Sequence, residues 1–277
     1  MQGTDDQARG VLRPEHETAR RAAARIRLRA VRMVGKQGFG YLGQALSSAE
    51  LMAVLFTEHL RSGIDRFVLS PAHYVIAAYA AAVDLGMLTE EQLATYGDDD
   101  SALEAIGTER TPVVDLTCGS LGQGLSGAIG LALAARLRAE DRTVYAFVSD
   151  GEMEEGQLWE AAMFAAHHGL ANLVVLLDCN NSQVDGPVSD VTTVEPVTAK
   201  WQAFGWHAEE VDGHDVAMVS AALGRARSAA GPAVVVARTN ALGGITCLPG
   251  GADAHFVKLT PELVEQAVAE LEEAIRG

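Results

Sequence analysis

Four short apolar runs stand out along the chain, Arg66–Leu69, Val144–Val148, Leu173–Leu177 and Ala233–Ala237, and the last three are Val-rich and free of polar residues. A strand with one wet face alternates apolar and polar positions, so uninterrupted runs predict strands of a parallel sheet covered on both faces. Between and after them, apolar positions recur at helical spacing over Gly124–Arg138, Glu154–His168, Asp215–Ala229 and Pro261–Ile275. Upstream, apolar and alanine positions from Pro14 to Val34 recur at the same spacing among many arginines, which predicts an amphipathic helix. The four glycines of Gly35–Gly43 predict a loop. Ser47 or Ser48 is the expected cap of a helix reaching about Leu60, with Glu50 in its first turn. Strands alternating with helices predict an α/β fold, doubly wound, with a mainly parallel sheet and helices on both faces. No internal repeat or long linker divides the chain, so residues 14–277 are expected to form a single domain behind a flexible N-terminal arm, 1–13.

Charge narrows the choice of partners. With 37 acidic and 21 basic residues the net charge is −16, which argues against general nucleic-acid or anionic-membrane binding. An anionic ligand is still compatible where a cation or backbone N–H groups hold it. Cys118, Cys179 and Cys247 form no paired spacing and suggest neither a disulfide framework nor a zinc site. The polar N-terminus carries no secretory signal, and no apolar run approaches the roughly 20 residues of a membrane helix. A cytoplasmic protein is expected.

The richest stretch is Val144–Gly186. A strand runs directly into Ser149-Asp150-Gly151-Glu152, a helix follows, and a second strand leads into Cys179-Asn180-Asn181-Ser182. This is a βαβ unit of ordinary size. If its strands are neighbours, Asp150 and Asn180 lie together at the carboxyl edge, where open α/β sheets bind ligands. A carboxylate and an amide carbonyl are two oxygen ligands for a hard cation such as Mg²⁺, which completes its shell with water and phosphate oxygens. Gly151 permits close backbone approach to a phosphate. On spacing alone, Asp150 and Asn180 are equally readable as turn and capping residues.

The wording of the motifs goes further. The stretch from Ser149-Asp150-Gly151 to Asn180 resembles the thiamine diphosphate motif. Glu155–His167, Asp115–Leu125 and Val211–Asp215 closely resemble the matching segments of transketolases, in the same order. The chain thus resembles the N-terminal, diphosphate-binding part of that family, and looks like the N-terminal subunit of a split, two-component transketolase. The resemblance implies the thiamine diphosphate-binding fold, with thiamine diphosphate and Mg²⁺ as cofactors. Asp150 and Asn180 would ligate Mg²⁺ by side chain and Ser182 by its carbonyl, with Gly151 N–H on the diphosphate and Glu152 in the same cofactor-binding stretch. His73 matches a histidine beside the diphosphate, and Gly119, Ser120 and Leu121 match the loop beside the thiazolium. His255 falls where the family places a substrate-channel histidine, and Glu155 matches an acid in contacts between paired active sites. His167 and His168 are expected to serve a helix C-terminus, and Met163 and Phe164 to lie in the core.

Four departures from the family pattern stand out. Ser149 replaces a glycine. Tyr41 stands where the family has a donor-binding histidine. A second histidine is missing near Ala105 and Ile106, and Arg238-Thr239 replaces Lys-Thr. The resemblance therefore implies transfer of a two-carbon ketol unit from a ketose to an aldehyde in a specialised pathway, with a changed substrate. A partner subunit would carry the pyrimidine-binding domain, as an α2β2 assembly, and the Gly- and Ala-rich Gly119–Ala135 permits close helix packing. Competing readings are a 2-oxoacid-decarboxylating subunit, a non-catalytic scaffold paralogue, and a phosphatase built on Asp150, Glu152 and Glu155, which lacks an obvious nucleophile.

Overall fold

The computed structural model describes residues 16–249 and 253–276; the arm expected over 1–13 lies outside them. The helices are α1 (Glu17–Gln37), α2 (Leu42–Ser47), α3 (Ala49–Val54), α4 (Val75–Asp84), α5 (Glu90–Leu93), α6 (Gly124–Leu137), α7 (Gly156–His167), α8 (Val188–Val191), α9 (Val197–Ala203), α10 (Val216–Arg227) and α11 (Pro261–Arg276). The strands are β1 (Phe39–Gly40), β2 (Arg66–Pro71), β3 (Leu116–Cys118), β4 (Val144–Ser149), β5 (Leu173–Cys179), β6 (His207–Asp212), β7 (Ala233–Arg238) and β8 (Val257–Lys258).

Six strands form one parallel sheet in the order β3-β2-β4-β5-β7-β6, and β1 and β8 pair antiparallel as a separate lip. All four predicted runs are strands of this sheet. Successive side chains of β4, β5 and β7 enter two apolar layers. Tyr145, Phe147, Val174, Leu176 and Val235 pack with α1–α4 and α10, while Val144, Ala146, Val148, Val175, Leu177 and Val234 pack with α6, α7 and α9. Burying a Val or Leu side chain stabilises by about 1.5–3 kcal/mol, which is why these uninterrupted runs hold the centre of the sheet. The doubly wound α/β architecture is therefore as expected.

Three expectations about elements need correction. The stretch 35–43 is not one loop: α1 runs through Gly35 to Gln37, Gly38 ends it in the left-handed region, and Gly43 lies inside α2. Neither Ser47 nor Ser48 caps α3 by its side chain; Ser48 Oγ donates to the Gln44 carbonyl and Ser47 Oγ to Asp178. The helix does reach the expected end near Leu60, continuing beyond α3 as a wider π turn, Leu55–His59. Met163 and Phe164 are not core residues, being 53% and 44% exposed; α7 presents Leu158, Ala161, Ala162 and Ala165 to the sheet instead. β3, β6 and the β1–β8 lip carry no uninterrupted apolar run and were not expected.

Candidate functional site

β4 and β5 are adjacent and parallel, with Ser149 paired to Asp178. Both chains leave the sheet at the same edge, and Asp150 and Asn180 are the first residues beyond it. Asp150 is 3% exposed. Its Oδ2 accepts from Asn181 N at 2.7 Å and its Oδ1 from Gly151 N at 2.9 Å. Asn180 Oδ1 accepts from Ser182 N at 2.9 Å. Consecutive N–H groups of one turn therefore gather a carboxylate and an amide oxygen side by side.

Among the described residues no lysine or arginine pairs with this carboxylate. Burial, and next the charge of Asp178, push the Asp150 carboxyl up to about 7. A buried carboxylate without a cation is costly, so the edge is electrostatically incomplete by itself. Among the described residues no three His, Cys, Asp or Glu side chains converge. The available donors are one carboxylate, one amide oxygen and the backbone oxygens of the turn, a set that fits a hard divalent cation keeping water or phosphate oxygens in its shell.

Glu152 behaves differently from its neighbours. It is fully buried, and its Oε1 accepts from Ser70 Oγ at 2.6 Å and Gly122 N at 2.8 Å. It braces the end of β2 and the Gly119–Gly122 loop against the end of β4. Its carboxyl is pushed up to about 7, chiefly by burial. These two bonds give Glu152 a bracing place between the strand ends. Gly119, Ser120 and Leu121 are the exposed or half-exposed part of the loop it holds.

Across from this edge the rings of Tyr41, His73 and His255 meet. Tyr41 lies 5.2 Å from His73 and 5.6 Å from His255 between centroids, and the two histidines are 5.2 Å apart. Phe256 and Phe39 extend the aromatic row outward to the β1–β8 lip. Burial first, and then His255, lower His73 to about 3, so its ring is neutral and can offer one N–H to an anion. Burial also lowers His255, whose Nδ1 lies 2.8 Å from the Gln44 side-chain amide. Gly43 makes this contact possible, because a Cβ there would collide with the Ala254 carbonyl oxygen. Glu155 is exposed at the start of α7, with its Cβ against Gly122. Asn180–Pro187, Asn240–Leu242, Asp253 and Ala254 line a cleft of about 480 Å³ beside the edge.

Comparison with known proteins decides the family. Residues 18–273 match the transketolase, thiamine diphosphate binding domain family. The chain belongs to the transketolase family. It is 37% identical over 257 residues to the 6-deoxy-6-sulfo-D-fructose transketolase subunit of Clostridium sp. strain MSTE9, covering 89% of this chain and 94% of that one. It is 33% identical over 243 residues to an apulose-4-phosphate transketolase subunit of Actinobacillus succinogenes, covering 84% and 88%. The transketolase structure from Campylobacter jejuni superposes with a TM-score of 0.84 at 26% identity, over 92% of this chain and 43% of that one. The chain thus spans nearly the whole of subunit-type relatives but less than half of that solved transketolase.

Within this transketolase framework, the structure brings together Asp150, Gly151, Asn180 and Ser182, and separately Tyr41, His73 and His255. The departures are also visible. Ala105 and Ile106 are exposed on the loop before β3, which the Gly107 N–H to Ala72 carbonyl bond holds beside His73, and they offer no ring donor. Arg238 pairs with Glu195 and Glu210. Sequence reasoning gave no site role to Gln44, Phe256, Ser47, Tyr74, Asp178 or Thr239. The first two lacked any motif, and the last four meet only through the fold. His167 and His168 do end α7. Among the described residues no helix is long and apolar enough to cross a membrane.

Proposed function

We propose that this chain, a single diphosphate-binding domain over residues 14–277, is the cofactor-holding subunit of a two-component transketolase using thiamine diphosphate and Mg²⁺. The observation that carries the reading is the β4/β5 edge, where a buried carboxylate that no Lys or Arg of the described residues pairs with, and an amide oxygen, are gathered by one turn. Asp150, Asn180 and the Ser182 carbonyl would hold Mg²⁺, and Gly151 N–H, His73 and the Gly119–Leu121 loop would hold the diphosphate and ring. When bound, thiamine diphosphate supplies the carbon nucleophile that makes ketol cleavage and transfer possible. The neutral His73 donates an N–H without adding charge, and Tyr41 and His255 orient the substrate's hydroxyls. Glu155 stands at the exposed start of α7, where paired sites would meet.

The subunit-type relatives support a partner subunit and a specialised substrate; in this reading the partner carries the pyrimidine-binding domain, in an α2β2 assembly serving a biosynthetic pathway. Tyr41 in place of a histidine supports a donor or acceptor different from the common pentose phosphates. The test is reconstitution with the pyrimidine-binding partner, followed by assay against a panel of ketose donors and aldehyde acceptors. Ketol transfer requiring both subunits is expected. Consumption of pyruvate with release of CO₂, and no ketol transfer, would replace this reading by a decarboxylating one.

A further inference from the structure

Asp178 lies near the end of β5, two residues before Asn180, is completely buried, and has no role in the reading above. Its Oδ1 accepts from Thr239 Oγ1. Its Oδ2 accepts from Ser47 Oγ at 2.6 Å, Tyr74 OH at 2.9 Å and Asn180 Nδ2 at 3.0 Å. Residues from α2, the turn before α4, β5 and the end of β7 therefore converge on one carboxylate.

The proton positions follow from donor arithmetic. Whether Asp178 is ionised or carries a proton on Oδ1 toward Thr239, its Oδ2 only accepts. Ser47 Oγ is 3.2 Å from the Gln44 carbonyl but 2.6 Å from Asp178 Oδ2, so its proton goes to the carboxylate. Tyr74 OH likewise gives its proton to Oδ2. Both hydroxyls then turn lone pairs toward Asn180, whose Nδ2 lies 3.1 Å from Ser47 Oγ and 3.0 Å from Tyr74 OH. The amide NH₂ thus faces three acceptors. The reversed rotation would set Oδ1 against a carboxylate oxygen and two lone pairs, while Nδ2 would meet the Ser182 N–H, donor against donor. Only one rotation satisfies the network, and it turns Oδ1 to the turn that also holds the Asp150 carboxylate.

We propose that Asp178 is a positioning residue that, through the Ser47 and Tyr74 hydroxyls it orders, fixes the Asn180 amide with its oxygen toward the cation. The inference deepens the Mg²⁺ reading and rests on it. The three acceptors hold the amide by its nitrogen, so the ligand oxygen is presented before any cation arrives. Groups that orient metal ligands typically change affinity 10- to 100-fold when removed.

The test is calorimetric Mg²⁺ titration of the assembled two-subunit enzyme in thiamine diphosphate, with melting temperature followed in parallel. Asp178→Val, which removes every acceptor at that position, is expected to weaken Mg²⁺ about 10- to 100-fold. Asp178→Asn can turn its own amide oxygen to Ser47, Tyr74 and Asn180 and its NH₂ to Thr239. It is expected to regain most of the affinity lost in Asp178→Val. Turnover at saturating Mg²⁺ should recover to within about twofold of wild type in both, because the loss is in cation binding. If Asp178→Val does not fold, Ser47→Ala with Tyr74→Phe removes the two ordered hydroxyls and is expected to weaken Mg²⁺ about tenfold. Folded variants with wild-type Mg²⁺ affinity, or Asp178→Asn as weak as Asp178→Val, would overturn the positioning role. A wild-type assembly that binds no Mg²⁺ would instead overturn the cation reading itself, and this inference with it.

Discussion

His73 carries a clear pH consequence at the site. Its folded value, about 3, lies below its ordinary 6.5 because burial and the neighbouring His255 disfavour the charged ring. Between those values the unfolded chain holds a proton that the folded chain does not. Stability is therefore full above pH 6.5 and is lost as pH falls toward 3. The melting temperature is expected to drop between pH 7 and pH 4, and His73→Gln should flatten that slope; an unchanged slope would remove His73 from the account. Tyr41→Phe keeps the ring contacts with His73, His255 and Phe256 but deletes the hydroxyl. Its melting temperature should match wild type while the donor KM rises about tenfold, the size of one lost hydrogen bond. Asp150 and Asn180 were legible in the sequence because each lies two or three residues past the end of an apolar run, beside a turn signal, so strand ends located them. Asp178 was not, since a carboxylate at the end of such a run looks like the start of a turn. Its partners, Ser47, Tyr74 and Thr239, are far from it in sequence.

Elements meet the site at two narrow contacts. α2 touches the 253–256 segment where Gly43 leaves no room, since any Cβ would run into the Ala254 oxygen. Gly43→Ala must displace that backbone and His255 with it. A displacement of about 1 Å in a positioning group can cost a hundredfold in rate, so kcat/KM is expected to fall about that far. The second contact is the Glu152 brace between β2, β4 and the Gly119–Gly122 loop. Glu152→Ala leaves the Gly122 N–H and Ser70 hydroxyl buried without an acceptor and should cost about 2–4 kcal/mol, read as a lower urea midpoint. The central strands were legible because burial on both faces demands continuous Val and Leu. β6 was not: its Glu209 and Glu210 pair with Arg225 and Arg238 at the sheet edge, so its sequence is that of a polar surface. Met163 and Phe164 misled for a related reason. α7 needs only one apolar stripe for the sheet, which Leu158, Ala161, Ala162 and Ala165 already supply.

At the scale of the whole molecule, a net charge of −16 surrounds an edge built for an anionic cofactor. In the proposed reading a divalent cation reconciles the two, because it would neutralise the buried Asp150 and offer the diphosphate an attractive centre. The fold class and the site's sheet edge follow from strand and helix alternation. The chemistry at that edge follows from the family to which the chain belongs. The division of labour between two subunits is the part no single chain carries. The most direct test of the account is calorimetric titration of thiamine diphosphate in the presence of Mg²⁺, for the chain alone, for the chain with its partner subunit, and for Asp150→Ala with the same partner. The account predicts saturable binding that tightens with the partner, requires Mg²⁺ and is lost in Asp150→Ala. Binding that is equally tight in Asp150→Ala, or no binding by the assembled wild type, would contradict it.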